Sequence, residues 1–103
     1  RIYEARDILI QNVVTPPSLA ELAHRVHLNE LKLTQGFRQV FETTVFGYLY
    51  NYRMDQACQL LQTGSLTIQQ VARSVGYTSR SSFVAAFKKK FKAAPSIYLK
   101  RIS

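Results

Sequence analysis

The stretch Thr67-Ile-Gln-Gln-Val-Ala-Arg-Ser-Val-Gly-Tyr77, continued by Thr78-Ser-Arg-Ser-Ser-Phe-Val-Ala-Ala-Phe-Lys-Lys-Lys-Phe91, decides the fold. Thr67 stands three residues ahead of Gln70, the arrangement of a capping box, and Ile68, Val71, Ala72 and Val75 follow at helical spacing. Gly76 suits the left-handed position that closes a helix. After a short break, Phe83, Phe87 and Phe91 repeat every four residues, which puts three rings on one face of a second helix. Two helices joined by a tight turn are therefore predicted.

The same pattern occurs earlier in the chain. Ser18, Leu19, Leu22, Ala23, Val26 and Leu28 match Thr67, Ile68, Val71, Ala72, Val75 and Tyr77 at an offset of 49. Leu33, Phe37, Arg38, Phe41, Tyr48 and Leu49 match Phe83, Phe87, Lys88, Phe91, Tyr98 and Leu99 at an offset of 50. One residue has entered the second turn, a change that a loop between packed helices tolerates. Ser18 with Glu21 repeats the capping box. The expected fold is all-α, with seven helices and no strand: two helix-turn-helix subdomains, residues 1–44 and 64–103, joined by a linker helix over residues 45–63. The first helix is expected from about Ile2 to Val13, with Pro16 and Pro17 blocking its continuation. The linker carries Leu49, Tyr52, Arg53, Ala57, Leu60 and Leu61 at helical spacing and stops at Gly64. Pro95 opens the last helix.

With 103 residues, 47% of them hydrophobic, the chain can fill one ordinary core or two small ones. It contains no uncharged run of about 18 apolar residues. A lone cysteine, Cys58, excludes an internal disulfide and a cysteine-rich zinc site. The net charge of +8 is unevenly placed: residues 1–55 hold six basic and six acidic side chains, whereas residues 56–103 hold eight basic ones and no acid. Such a field attracts a polyanion. Two readings stay open on charge: a nucleic-acid-binding domain, or a basic module for acidic protein or membrane surfaces with only non-specific DNA affinity.

In a helix-turn-helix the second helix lies in the major groove and shows its outward face to base edges. With Leu33, Phe37 and Phe41 turned inward, Leu31, Lys32, Thr34, Gln35 and Arg38 face outward. With Phe83, Phe87 and Phe91 inward, Arg80, Ser81, Val84 and Ala85 do the same. These nine are the expected base contacts: Arg forks onto guanine, Gln pairs with adenine, and Leu, Val or Thr packs on a thymine methyl. Leu31 and Val84 are expected to be exposed, which nothing else explains. Lys88, Lys89, Lys90 and Lys92, with Arg53 and Arg73, are the expected phosphate contacts, fixing register without reading sequence.

No catalytic constellation is visible, so an enzyme is not expected, nor is a cofactor or a metal. His24 and His27 form at most half a metal site and are read as surface or cap histidines. Cys58, among Ala57, Leu60 and Leu61, is read as a small core residue.

Val71-Ala72, Val75-Gly76-Tyr77, Phe83, Phe87-Lys88-Lys89 and Pro95 with Tyr98 resemble the DNA-binding domain of AraC/XylS-type transcriptional regulators. The resemblance runs from about Ala5 to Arg101. The runs Leu28–Leu33 and Thr44–Leu49 are further similar to the siderophore-responsive, iron-uptake branch. The resemblance implies a cytoplasmic, nucleoid-associated domain that takes double-stranded promoter DNA as partner, with RNA polymerase as a second partner and no membrane. It also implies a sensory domain N-terminal to this stretch. Three departures stand out. His27 occupies the place of Gly76, where positive φ is expected. Lys92 stands where the family often has Gly. Ala85 replaces a longer polar side chain, which shifts the second helix toward apolar or shape readout.

Overall fold

In the computed structural model, residues 1–99 are described, and they form seven α-helices with no strand among them. These are α1 (Ile2–Gln11), α2 (Leu19–Arg25), α3 (Glu30–Phe41), α4 (Val45–Thr63), α5 (Ile68–Ser74), α6 (Arg80–Phe91) and α7 (Pro95–Tyr98). Arg101 lies outside the described residues. The all-α expectation holds, with one boundary shifted. α1 stops at Gln11 rather than Val13 because Asn12 folds back: its side-chain amide donates to the Ile8 carbonyl (2.8 Å) and its backbone N–H to that of Leu9 (3.1 Å). The prolines only follow a helix already ended.

The chain divides into two compact units, Arg1–Tyr52 and Arg53–Ser103, with the boundary inside α4. In the first, α1 packs on α2 and α3, and α2 on α3. Their shared core is Ala5, Leu9, Leu22, Ala23, Val26, Leu33, Phe37 and Val45. Gly36 lets α1 come close, since a Cβ there would run into the Ile2 side chain. In the second unit the buried residues are Met54, Ala57, Leu61, Val71, Ala72, Val75, Phe83, Phe87 and Pro95.

The duplication reaches further than the sequence matches. In the first unit the rings of Phe37, Phe41 and Tyr48 touch pairwise, with centroids 4.9–6.0 Å apart. In the second, Phe87, Phe91 and Tyr98 do the same at 4.5–5.6 Å. Each cluster ties the end of the second helix of a pair to the start of the next, so α7 is the counterpart of the first turn of α4. α1 likewise corresponds to the second half of α4. Buried Ala5 and Leu9 match buried Ala57 and Leu61, and the helix ends Gln11 and Thr63 match too, all at an offset of 52. Each unit is thus a bracing helix, two helices around a turn, and a short closing helical turn. Packing of this kind stabilises each buried phenylalanine by about 3 to 5 kcal/mol relative to alanine.

Candidate nucleic-acid interface

The two turns have the same hydrogen bonds. After α2 the His27 N–H donates to the His24 carbonyl (3.2 Å) and the Leu28 N–H to that of Ala23 (3.0 Å). After α5 the Gly76 N–H donates to Arg73 (3.1 Å) and the Tyr77 N–H to Ala72 (2.9 Å). Both are Schellman motifs, which need positive φ at the residue beyond the cap. His27 has φ 60° and Gly76 φ 96°. The positive φ expected at His27 is therefore present. Leu28 and Tyr77 follow because the motif turns its next side chain onto the core, where Tyr77 meets the Phe83 ring at 5.8 Å.

Each second helix begins on a side-chain cap. Asn29 Oδ1 accepts from the Lys32 N–H (2.7 Å), and Ser79 Oγ from the Ser82 N–H (3.3 Å). The first helices are capped by Ser18, which accepts from Glu21 N–H (3.1 Å), and Thr67, which accepts from Gln70 N–H (3.1 Å). Only Thr67 receives the reciprocal bond, Gln70 Oε1 accepting from its N–H at 2.9 Å. The box expected at Ser18 is half made. Both second helices end on a left-handed residue, Glu42 (φ 60°) and Lys92 (φ 61°), whose N–H groups return to Arg38 and Lys88.

Burial repeats along α3 and α6 at every matched position but Val40 and Lys90. Leu33 and Phe37 are buried, as are Phe83 and Phe87, while Leu31, Lys32, Gln35 and Arg38 match Ser81, Ser82, Ala85 and Lys88 as exposed residues. Leu31 is 63% exposed. Glu30 and Arg80 hold the first helical position of each and are exposed. Thr34 and Val84 are half-buried at the edge of the core. For Val84 this corrects the expectation of full exposure, because the position after Phe83 lies on the flank of the apolar face. Ser81 is exposed, with its hydroxyl 2.9 Å from that of Ser79.

Among the basic residues, Arg73, Lys88, Lys89 and Lys92 are exposed and make no ion pair among the described residues. Lys90 differs from the other lysines: its Nζ lies 3.6 Å from Asp55 Oδ1 and 5.8 Å from the Phe91 ring centre. The Arg53 guanidinium sits over the Tyr77 ring at 5.6 Å. Both side chains are thus engaged within the second unit, a use that their charge alone did not show. The second unit holds nine Lys and Arg against one acid, whereas the first holds five against five, so the whole excess of +8 belongs to the second. Cys58 is half-buried, and burial, with Asp55 nearby, pushes its thiol above the ordinary range. A raised pKa disfavours the nucleophilic thiolate. Among the described residues no cluster of three metal-ligating side chains occurs, and no helix is long and apolar enough to cross a membrane.

The helix-turn-helix domain family matches residues 22–101 of the chain. In structure the chain is similar to a transcriptional regulator of Chromobacterium violaceum described as AraC-type DNA-binding, at a TM-score of 0.86 and 27% identity over 94% of this chain and 87% of that one.

 The chain belongs to the AraC-type helix-turn-helix DNA-binding domains. Regulatory protein PchR of Pseudomonas aeruginosa is 52% identical over 61 residues, which make up 59% of this chain and 21% of PchR. The DNA-binding domain of AdpA, solved in complex with a target DNA, has a TM-score of 0.84 at 21% identity over 94% of this chain and 87% of that one, a likeness of fold. The chain spans about a fifth to a third of the length of the curated relatives it matches. In this AraC-type domain α2 and α5 are the first helices of the two helix-turn-helix motifs, and α3 and α6 are the second.

Proposed function

We propose that this domain is the sequence-specific reader of a bacterial transcription regulator, with α3 and α6 entering adjacent major-groove segments of promoter DNA. One observation carries the proposal: the inward residues of the two helices agree in kind, while the outward ones differ. Leu33, Phe37 and Phe41 correspond to Phe83, Phe87 and Phe91, but Leu31, Lys32, Thr34 and Gln35 correspond to Ser81, Ser82, Val84 and Ala85. A surface used only for solubility or for a uniform polyanion has no need of two chemically distinct faces on one scaffold. Two reading faces do need them, and a single chain then recognises a site without two-fold symmetry. Lys32, Gln35, Arg38, Arg80 and Ser81 supply hydrogen bonds to base edges, and Leu31, Thr34, Val84 and Ala85 supply apolar contact. Arg73, Lys88, Lys89 and Lys92 meet phosphates, Lys90 and Arg53 contributing less because each is already engaged. α4 serves as the spacer. A wider regulator, with a sensory domain, a contact to RNA polymerase and a place on the nucleoid in the cytoplasm, belongs to the same proposal; the relatives' greater length supports the further domain alone.

Substitution separates these roles. On the preferred duplex, Arg80→Ala and Gln35→Ala each cost about 1 to 3 kcal/mol and relax one base position, whereas Lys89→Ala weakens binding to every duplex alike. Equal losses on all sequences from all three changes would leave a basic module without a reading face.

A further inference from the structure

The two reading helices start with opposite charges. Arg80 opens α6, and at the matching position, 50 residues earlier, Glu30 opens α3. Both are exposed, and both follow an extended, side-chain-capped residue, Asn29 at ψ 168° and Ser79 at ψ 131°. The caps fix the direction in which each helix starts, so the two side chains leave their helices from equivalent places. Among the described residues the acids in an ion pair, Asp7 with Arg6 and Asp55 with Lys90, lie elsewhere. Glu30 makes no ion pair among the described residues, and the neighbouring Lys32 spends its backbone N–H, not its ammonium, on the Asn29 cap.

A carboxylate at this place on a DNA-reading helix is costly unless it meets a donor, since phosphates repel it and guanine offers N7 and O6 acceptors. Only the exocyclic amines of cytosine and adenine donate in the major groove, and an ionised carboxylate can only accept. Cytosine N4 is the better fit, because adenine sets its N7 acceptor beside the amine. We infer that Glu30 is a specificity-determining residue of the first unit, accepting a hydrogen bond from a cytosine N4 amine and excluding guanine and thymine at that base. The inference rests on the reading of α3 as a recognition helix. It also assigns the two units different tasks at their leading edges: Arg80 selects an acceptor base and Glu30 a donor base.

The competing role for Glu30 is local, a negative charge at the positive end of α3. Selection from a random duplex library with the unaltered chain, Glu30→Gln and Glu30→Arg tells the two apart. The expected result is one cytosine position in the first block that turns to adenine with Gln and to guanine with Arg, the rest of the motif unchanged. Each exchange should alter the preference for that base by roughly 5- to 150-fold. Affinity of Glu30→Gln for scrambled duplexes should rise, because a repulsive charge is gone, while affinity for the original site falls. Parallel rises on every duplex, with the motif unchanged, would overturn the inference and leave Glu30 as a helix-end charge. If the unaltered chain enriches no motif at all, the reading of α3 as a recognition helix fails, and the inference with it.

Discussion

Replacing Arg73, Lys88, Lys89 and Lys92 together by alanine tests how the charge of the second unit is used. All four are exposed and without an ion pair among the described residues, so no intramolecular partner must be given up for a phosphate. Each phosphate neutralised adds about 0.9 to the slope of log affinity against log salt, so losing four lowers that slope by about 3.6. Over a fourfold rise in salt, from about 50 to about 200 mM, those contacts account for roughly a hundredfold of the affinity lost by the unaltered chain. Fluorescence anisotropy of a labelled duplex, titrated at four or five salt concentrations, reads the slope directly. Lys90→Ala alone should lower it by clearly less than 0.9, because Lys90 is shared with Asp55 at 3.6 Å. Surface changes of this kind leave folding within about 0.5 kcal/mol each, which melting curves check. A slope unchanged in the fourfold variant would refute the assignment of these side chains to phosphate.

Other consequences concern the scaffold. Phe37→Ala and Phe87→Ala, each removing a fully buried ring from one aromatic cluster, should each cost about 3 to 5 kcal/mol in chemical denaturation. A cost under about 1 kcal/mol at either would contradict the packing described. His27→Gly, relieving φ 60°, should stabilise by up to about 1 kcal/mol, and Gly76→Ala, imposing a Cβ at φ 96°, should destabilise by about 1 kcal/mol or more. Effects of the reverse sign would show that the turns are built differently. Because burial holds the Cys58 thiol above its ordinary range, the folded state keeps a proton that the unfolded chain releases first. Its contribution to stability is fully present below the ordinary thiol value and is lost as pH rises from there through the raised folded value. Cys58→Ala should therefore lose less melting temperature than the unaltered chain between about pH 8 and about pH 10, and equal losses would count against the burial.

The features legible in the sequence were those set by local chemistry. The caps at Ser18 and Thr67, the left-handed stop at Gly76 and the four-residue ring spacing depend on neighbours within one turn of helix. The match of α1 to the second half of α4 was not legible, because the loop after α1 is three residues longer and hides the common offset. Lys90 read as one more lysine in a basic run, since its partner Asp55 lies 35 residues away on α4. Arg53 over Tyr77 was hidden in the same way. Val84 shows another limit: periodicity gives the direction of a helix face, and only packing sets how wide the buried strip becomes. Glu30 carried a signal that was available but unused, the reversal of charge against Arg80 at the offset of 50.

Selection of bound sequences from a random duplex library by the 103-residue chain tests most directly whether both helices read DNA. Two conserved blocks of different sequence, their centres about ten base pairs apart, are the predicted result, because recognition helices on one face of the duplex lie one helical turn apart. A single block would contradict the account by leaving one helix as a clamp, and salt-sensitive binding with no enriched sequence would contradict it altogether.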